Sequence, residues 1–360
     1  MNEEIAAIFA RAKISSALAL GLSWPDGEQR HSQQIYLGQP SSFHAEAVDA
    51  ATVFDLASLT KPLVTTLSVH ELVCQGKLTF SDRLAEIFPD MLAAAHPAWR
   101  EIRIAQLLNH CSGLPAHRPY FNQLLALPQA VRKAALLRMI SMEAPVCAAG
   151  RNHIYSDLGF MLLGFIVERL TGESLDAYWR RAVAEKIGIE NSLFFPAQDK
   201  HPTFAESGIC PWSQQILAGT VHDDNCRSLG GIAGHAGLFG TLTGVMAACD
   251  WLLALWHDTG REAEVLRNMC KPVSGTSWCL GFDSPSGPDS ASGQYFRVPS
   301  VGHLGFTGTS FWIDLGRRIS VVLLTNRTIY SWDRRPLNCF RRAIYDCVMR
   351  RFEGRPASRP

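Results

Sequence analysis

Lysine is scarce in this chain. Of 34 basic residues only seven are lysine, so arginine carries most of the positive charge, and a lysine inside a motif stands out. An excess of either sign is also missing: 34 Lys plus Arg face 33 Asp plus Glu, leaving +1. That balance argues against a nucleic-acid binder or an electrostatic membrane anchor. No uninterrupted apolar run reaches about 18 residues, so no membrane-spanning helix is expected. Paired cysteine spacing is absent as well. Ten cysteines fall singly, with no CxxC and no Cys/His zinc pattern, which fits reduced, mostly buried thiols. Glu3 and Glu4 stand where an export signal would be basic, and Ser15 to Trp24 runs straight into the turn Pro25-Asp26-Gly27. That run reads as a strand rather than a signal, and the compartment expected is the cytoplasm.

What is present is enough apolar residue, 47% of 360, for a real core. At about 150 residues per domain the length suggests two domains, or one with a large insertion. Residues 1 to about 13 read as a helix, followed by a hairpin of Ala17–Trp24 and Gln34–Leu37. Helical patterns dominate from about 60 to 225. Leu63, Leu67, Leu72 and Val73 form one apolar stripe, Ile104, Leu107 and Leu108 another, and Leu158, Met161, Leu162, Phe165 and Ile166 a third. Strand signals return at Phe306–Asp314 and Ile319–Thr325, and a last helix is expected over Pro336–Phe352, before a polar, disordered tail. Gly281–Gly293 reads as a loop. Glycines every third residue at 231–240 and at 302–308 are runs too short for a repeat architecture. Strands at both ends around a helical middle imply one α/β body, residues 1–60 and 226–360, split by a mainly helical domain, 61–225.

Several chemistries have no motif here: there is no HExxH, GxSxG, Walker loop or GxGxxG. Ser58-Leu59-Thr60-Lys61 is the one SxxK in the chain. Chance alone supplies about half an occurrence at this composition, so its setting matters. It opens the first helical stripe, and the spacing puts Oγ and Nζ on one face, where a helix start favours developing negative charge. The plainer alternative makes Ser58 a helix cap and Lys61 a solvated residue. Tyr155-Ser156-Asp157 precedes the third stripe. A lysine beside Tyr155 would lower its phenol pKa and make it a proton shuttle, and Asp157 could orient Lys61 and keep it charged. The alternative is half-buried packing for Tyr155 and a helix cap for Asp157. His303-Leu304-Gly305 reads as a glycine-containing start to the strand Phe306–Asp314, where backbone can approach a substrate. The Phe306 N–H would join the Ser58 N–H as an oxyanion hole, with His303 touching substrate or tuning Tyr155. Alternatively His303 is an ordinary loop histidine.

In this order the three motifs resemble the serine β-lactamase and penicillin-binding-protein family, in its class C-like branch: SxxK at Ser58–Lys61, a YxN-like triplet at Tyr155–Asp157, and HxG at His303–Gly305 in place of KTG. Ile104–Pro115 looks like the family's LLxHxSGLP segment, and Leu323-Leu324-Thr325-Asn326-Arg327 like its strand ending in Thr-Asn. The resemblance runs from about residue 15 to 350. It implies a β-lactamase-like α+β fold, an antiparallel sheet flanked by helices with a mainly helical domain beside it. It also implies a Ser58 nucleophile activated by Lys61 and Tyr155, an acyl-enzyme hydrolysed by water, and no metal or organic cofactor. Two departures weigh against efficient β-lactam hydrolysis. Asp157 replaces an amide, and His303 replaces a permanent cation with a pH-dependent one. A further stretch, Val221–Asn225 and Leu229–Phe239, looks like homologues acting on cell-wall fragments, both amidase-like and D-alanyl-D-alanine carboxypeptidase-like.

The reading is a serine hydrolase cleaving an amide or ester bond in a muropeptide or related small acyl substrate. His303, Gly305, Asp157, Phe306, His222 and Asp224 would line the substrate cleft. The partner expected is a small molecule or peptide, with no nucleic acid and no membrane, and the oligomeric state stays open. Three alternatives stand beside it. One is a short-acyl esterase without a peptidoglycan role, another a non-catalytic binding protein retaining the fold. The third is a metal site of His222, Asp224 and His235, for which the glycine-rich spacing is poor support.

Overall fold

A computed structural model describes residues 1–41, 46–91, 93–196, 203–287, 289–330 and 333–355. Eight strands occur among these residues: β1 (Ala17–Asp26), β2 (Gln29–Gly38), β3 (Phe54–Asp55), β4 (Leu193–Phe194), β5 (Phe239–Gly240), β6 (Ser300–Leu304), β7 (Ser310–Asp314) and β8 (Ile319–Thr325). Five form an antiparallel sheet in the order β2-β1-β8-β7-β6, so the chain's two ends meet where Leu20 stands opposite Leu323. The short strands β3, β5 and β4 form a second sheet in that order.

The period-2 alternation of strands decides what each face buries. On β1, Leu18, Leu20 and Leu22 turn to one side, where they join Val321 and Leu323 of β8 in a cluster under the N-terminal helix Asn2–Ala12 and the C-terminal helix Arg334–Met349. Ala17 and Ala19 turn the other way, with Val322 and Leu324, into a larger cluster that includes the helix Leu242–Trp256. Gly21 lets that helix come close, since a Cβ there would sit 2.3 Å from Met246 Sδ. The same cluster continues through Leu107, Leu162 and Leu175 of the region 61–225, where the helices Gln129–Met142 and Asp157–Thr171 lie.

The expected hairpin is present, and its second strand is longer than expected. Gln29–Gln33 pair with β1 although their side chains are polar, because β2 is an edge strand open to solvent there. The expected strand Phe306–Asp314 is not continuous. It begins only at Ser310, because Gly305 N donates to Thr309 O (2.7 Å), and Gly308, at φ 107°, closes a turn that no strand residue would make. His303 accordingly lies in a strand of its own, β6, one residue before its end. The last helix starts at Arg334, with Asp333 Oδ1 accepting from Arg335 N (3.0 Å), and becomes a 3₁₀ turn at Arg350–Phe352. Of the polar tail, residues 356–360 lie outside the described residues.

Candidate active site

Ser58 sits in a tight turn, Ala57–Leu59, at the end of β3. Ala57 adopts φ 48°, a left-handed conformation that an L residue takes at a cost of roughly 1–2 kcal/mol. Several bonds hold it there. Asp55 Oδ1 accepts from Ala57 N (2.8 Å), Thr60 Oγ1 donates to Ala57 O (2.7 Å), and Leu56 N donates to Leu238 O (2.9 Å). Thr307 and Thr309 tie the β6–β7 turn to the same segment by donating to Asp55 O (2.7 Å) and Leu56 O (3.0 Å). Beyond the turn, Lys61–Thr66 forms a wide π-type coil that continues as the helix Leu67–Cys74.

Lys61 is fully buried, not solvated. Its ammonium donates to Ser58 Oγ (3.1 Å), Asp157 Oδ1 (2.7 Å) and His235 O (3.2 Å), which uses all three of its protons. Burial alone would push this lysine down. Asp157 and Tyr155 outweigh it and hold Lys61 above its usual value. Burial would likewise raise Asp157, but Lys61 and His117 bring it well below the carboxylate range, and His117 Nδ1 stands 3.6 Å from Asp157 Oδ2. Both partners therefore report one ion pair. Asp157 begins the helix Asp157–Thr171 without capping it; Ser156 Oγ does that by accepting from Gly159 N (3.3 Å).

Tyr155 lies with Lys61 Nζ 4.8 Å from its ring centroid. Its phenol is raised, not lowered as the sequence suggests, because burial exceeds the opposing pull of Lys61. The ring packs against His110 (4.5 Å), Trp278 (5.6 Å) and His303 (6.0 Å). His110 belongs to the segment Ile104–Pro115, and its Nδ1 accepts from Ser156 N (3.1 Å), so that segment serves to seat Tyr155 and Asp157.

His303 corrects a second expectation. Burial, then Lys61, lowers it to about 3, so it is a neutral imidazole at ordinary pH rather than a titrating cation. Its Nδ1 lies 3.0 Å from Leu304 O, an acceptor, which puts the proton on Nδ1. Nε2 is left as a bare acceptor with no partner among the described residues. Gly305 is required by proximity: a Cβ there would stand 2.0 Å from Thr309 Oγ1 and 2.9 Å from Leu56 O. Phe306 follows in the turn, its carbonyl accepting from Arg327 Nε (2.8 Å) and its ring 5.5 Å from that of His222.

His222, Asp224 and His235 do not converge. His222 N donates to Asp55 Oδ2 (2.8 Å), Asp224 pairs with Arg227, and His235 Nε2 meets Asp223 Oδ1 at 2.9 Å. Burial lowers His222 to about 4. Among the described residues no group of three or more His, Cys, Asp or Glu is placed to hold a metal ion.

Ser58, Tyr155, Asp157, His303, Gly305, Phe306, His222 and Asp224 line one cavity of about 670 Å³, and Lys61 lies behind its wall. Sequence reasoning missed the wall built by Arg334, Asn338 and Arg341 of the C-terminal helix, together with Arg327. Arg341 Nη2 donates to Gly305 O and Thr309 O, 2.7 Å each, and burial lowers its guanidinium to about 9. Nothing local marks Arg341 in an arginine-rich helix; Arg327 ends the Leu-Leu-Thr-Asn-Arg segment already noted. Asp55, Trp278 and His117 were also missed.

A two-ended antiparallel sheet, a helical partner and a Ser–Lys pair at their junction define a β-lactamase-like protein. The chain belongs to the β-lactamase family, whose model matches residues 23–345 and whose members are serine hydrolases. A protein of Escherichia coli (strain K12), provisionally named D-alanyl-D-alanine carboxypeptidase, is 30% identical over 306 residues, covering 77% of this chain and 69% of that protein. A Salmonella typhimurium (strain LT2) protein with the same provisional name is 28% identical over 319 residues, 81% of this chain and 73% of its own. Among solved structures, the octameric penicillin-binding protein homologue from Pyrococcus abyssi superposes with a TM-score of 0.73 at 18% identity, covering 99% of this chain and 78% of that one. A class C β-lactamase from Rhodobacter sphaeroides gives 0.71 at 16%, covering 97% and 99%. EstCE1, a hydrolase with promiscuous acyltransferase activity, gives 0.71 at 19%, covering 95% and 98%. At these identities the structural likeness is one of fold.

Proposed function

We propose that this protein cleaves an amide or ester bond through an acyl-enzyme on Ser58, acting on muropeptides or related small acyl substrates. The observation that carries the proposal is Lys61 Nζ, buried and 3.1 Å from Ser58 Oγ at the wall of the 670 Å³ cavity. In this reading Ser58 Oγ attacks the acyl carbon. Its proton passes to the ionised form of Tyr155, which the Lys61 cation stabilises, and the phenol so formed returns a proton to the leaving group. The Ser58 and Phe306 N–H groups, on two turns stapled together by Thr307 and Thr309, receive the negative charge on the carbonyl oxygen. Water then releases the acyl group.

His303 Nε2, Gly305, Asp157, His222 and Asp224 border the substrate. The arginine wall suits a carboxylate, which agrees with the activity in the name of the Escherichia coli relative and supports a peptide with a free C-terminus. The ten cysteines are all free thiols, which supports a reducing compartment such as the cytoplasm. No helix among the described residues is long and apolar enough to cross a membrane.

A fluorophosphonate or penicillin probe, with the adduct mapped by mass spectrometry, tests the proposal. Labelling on Ser58, lost in Ser58→Ala together with turnover, is the expected result. No adduct there, or turnover unchanged by the substitution, overturns it. The neutral His303 and the carboxylate at 157 favour one second reading, a short-acyl esterase. Comparing p-nitrophenyl esters with muropeptides by kcat/KM separates the two.

A further inference from the structure

Asp55 lies three residues before Ser58, only 3% exposed, and has no place in the chemistry above. Its two carboxylate oxygens do different things. Oδ1 accepts from Ala57 N and Oδ2 from His222 N, both at 2.8 Å. One bond holds the left-handed residue in front of Ser58. The other holds the loop that continues through Asp223, whose Oδ1 meets His235 Nε2, while His235 O accepts a hydrogen bond from Lys61 Nζ. The backbone carbonyl of Asp55 accepts from Thr307, on the turn that carries Phe306. A single side chain and its carbonyl thus reach the nucleophile's turn, the lysine's support and the second turn at the cavity.

We propose that Asp55 is a positioning residue for the nucleophile: its ionised carboxylate, by accepting both N–H groups at once, fixes Ala57 in its left-handed conformation and so places Ser58 Oγ for attack. The inference rests on Ser58 being the nucleophile. A carboxylate can accept at both oxygens, whereas a carboxylic acid presents one O–H and an amide presents one NH₂, and neither faces an N–H without losing a bond. Asp55 is buried, so solvent does not replace the lost bond. Ala57 is then free to leave a backbone conformation that is unfavourable for alanine, and Ser58 moves with it. Misplacement by about 1 Å can slow a reaction roughly a hundred-fold.

Burial, opposed by the bonds from His222 and Ala57, raises Asp55 to about 6. The ionisable groups facing it are His222 and Asp223 on the loop and Cys226 and Arg227 on the helix Asp224–Ser228. The turn 305–309 and strand β5 present only apolar or threonine side chains to it. Burial takes His222 to about 4 and Cys226 well up, and His235 holds Asp223 below the carboxylate range against burial. The shifts of His222, Asp223 and Cys226 each run away from 6. At the cavity, burial raises Asp283 to about 6 and the bond to Asp157 raises His117 above its ordinary value, so a pH limb alone does not identify its owner.

The test is the rate of Ser58 modification by a fluorophosphonate, followed by mass spectrometry between about pH 5 and 8. In the wild type the rate should fall about ten-fold as pH drops through a midpoint near 6, over and above the steady slope set by Tyr155 ionisation. Asp55→Asn should be slower by about thirty-fold at pH 7.5 and should lack the extra drop, keeping only the steady rise with pH that Tyr155 ionisation imposes. Ala57→Gly, in which the left-handed turn no longer needs a clamp, should shrink the limb to less than about two-fold, and should restore several-fold of the rate when added to Asp55→Asn. Ala57→Gly keeps Asp55 and reads the role even if Asp55→Asn folds poorly. A limb of wild-type size in Asp55→Asn or in Ala57→Gly assigns it elsewhere and overturns the Asp55 role alone. A wild-type protein unlabelled at Ser58 overturns the functional reading and this inference with it.

Discussion

Lys61 shows what a residue-level pattern conveys and what it omits. The SxxK spacing was legible, since three residues bring Oγ and Nζ to one face. The groups that decide the lysine's charge were only half legible, because Asp157 lies 96 residues away and the His235 carbonyl 174. Their effect on stability follows by sign. Lys61 is raised in the folded state, so its contribution is complete below the unfolded lysine value of about 10.4 and is lost as pH rises through the folded value. Asp157 is depressed, so its contribution is complete above about 3.9 and is lost as pH falls toward the folded value. Asp157→Ala should therefore destabilise the protein by about 3 kcal/mol, the usual consequence of stranding a buried charge. The loss should be largest at about pH 5, ease as pH rises and His117, which Asp157 holds above its ordinary value, loses its charge, and shrink again below about pH 4. Urea unfolding of both proteins at stepped pH measures this, and a difference that still changes between pH 6 and 8 when both carry His117→Asn would show that Lys61 titrates there. Tyr155 reverses the sequence expectation because burial, invisible in a triplet, exceeds the pull of the neighbouring cation. Its raised phenol makes ionisation rare at neutral pH, so the acylation rate of the wild type should climb with pH to at least about 9. Tyr155→Phe should lose roughly 10²–10⁴-fold of the rate and that slope with it.

Among the elements, the long, strongly patterned ones were readable: the hairpin, the helix Asp157–Thr171 and strand β8 all stand where apolar periodicity put them. The two-residue strands β3, β4 and β5 were not, because two residues carry no period. The β6–β7 turn was read as strand because the apolar tone of Phe306–Asp314 masked Gly305 and Gly308. Glycine spacing near 234 was noted without its meaning, which is close packing between a loop and a helix. A Cβ on Gly234 would lie 2.1 Å from Phe160 O and 3.1 Å from Gly164 Cα, both backbone atoms of the helix Asp157–Thr171 that cannot rotate away. The loop is fixed on its other side by Thr65 Oγ1, which donates to Gly234 O (2.6 Å), and by Lys61 on His235 O. Gly234→Ala should cost about 1–3 kcal/mol, as overpacking does. It should also lower kcat more than KM, because it displaces the carbonyl that orients Lys61 rather than the cavity wall. Thermal unfolding with steady-state kinetics on one ester substrate checks both. An unchanged melting temperature would mean the loop can retreat from the helix.

At the scale of the whole molecule, strands at both chain ends with helices between them implied a discontinuous α/β body beside a helical region, residues 61–225, and we keep that division as a proposal. What the sequence could not convey is that the two lobes would share a core. The larger apolar cluster runs without a break from Ala19, Val322 and Leu324 on the sheet, through Leu63 and Leu67 beside the nucleophile, to Leu107 and Leu162 in the helical region. Contiguity of that kind depends on side chains that are distant in sequence and adjacent only after folding. Its thermodynamic consequence is that neither lobe can expose its share of the cluster while the other stays intact. Unfolding should therefore be a single cooperative transition, with calorimetric and van't Hoff enthalpies in agreement. Leu162→Ala in the helical lobe and Leu324→Ala in the sheet, both fully buried, should each cost about 2–5 kcal/mol. Each should move that one transition without splitting it. Calorimetry of the three proteins, with near-UV circular dichroism recorded on the same samples, decides the point. Two resolved transitions, or a Leu162→Ala effect confined to one of them, would mean that the lobes fold independently and that the shared cluster does not couple them.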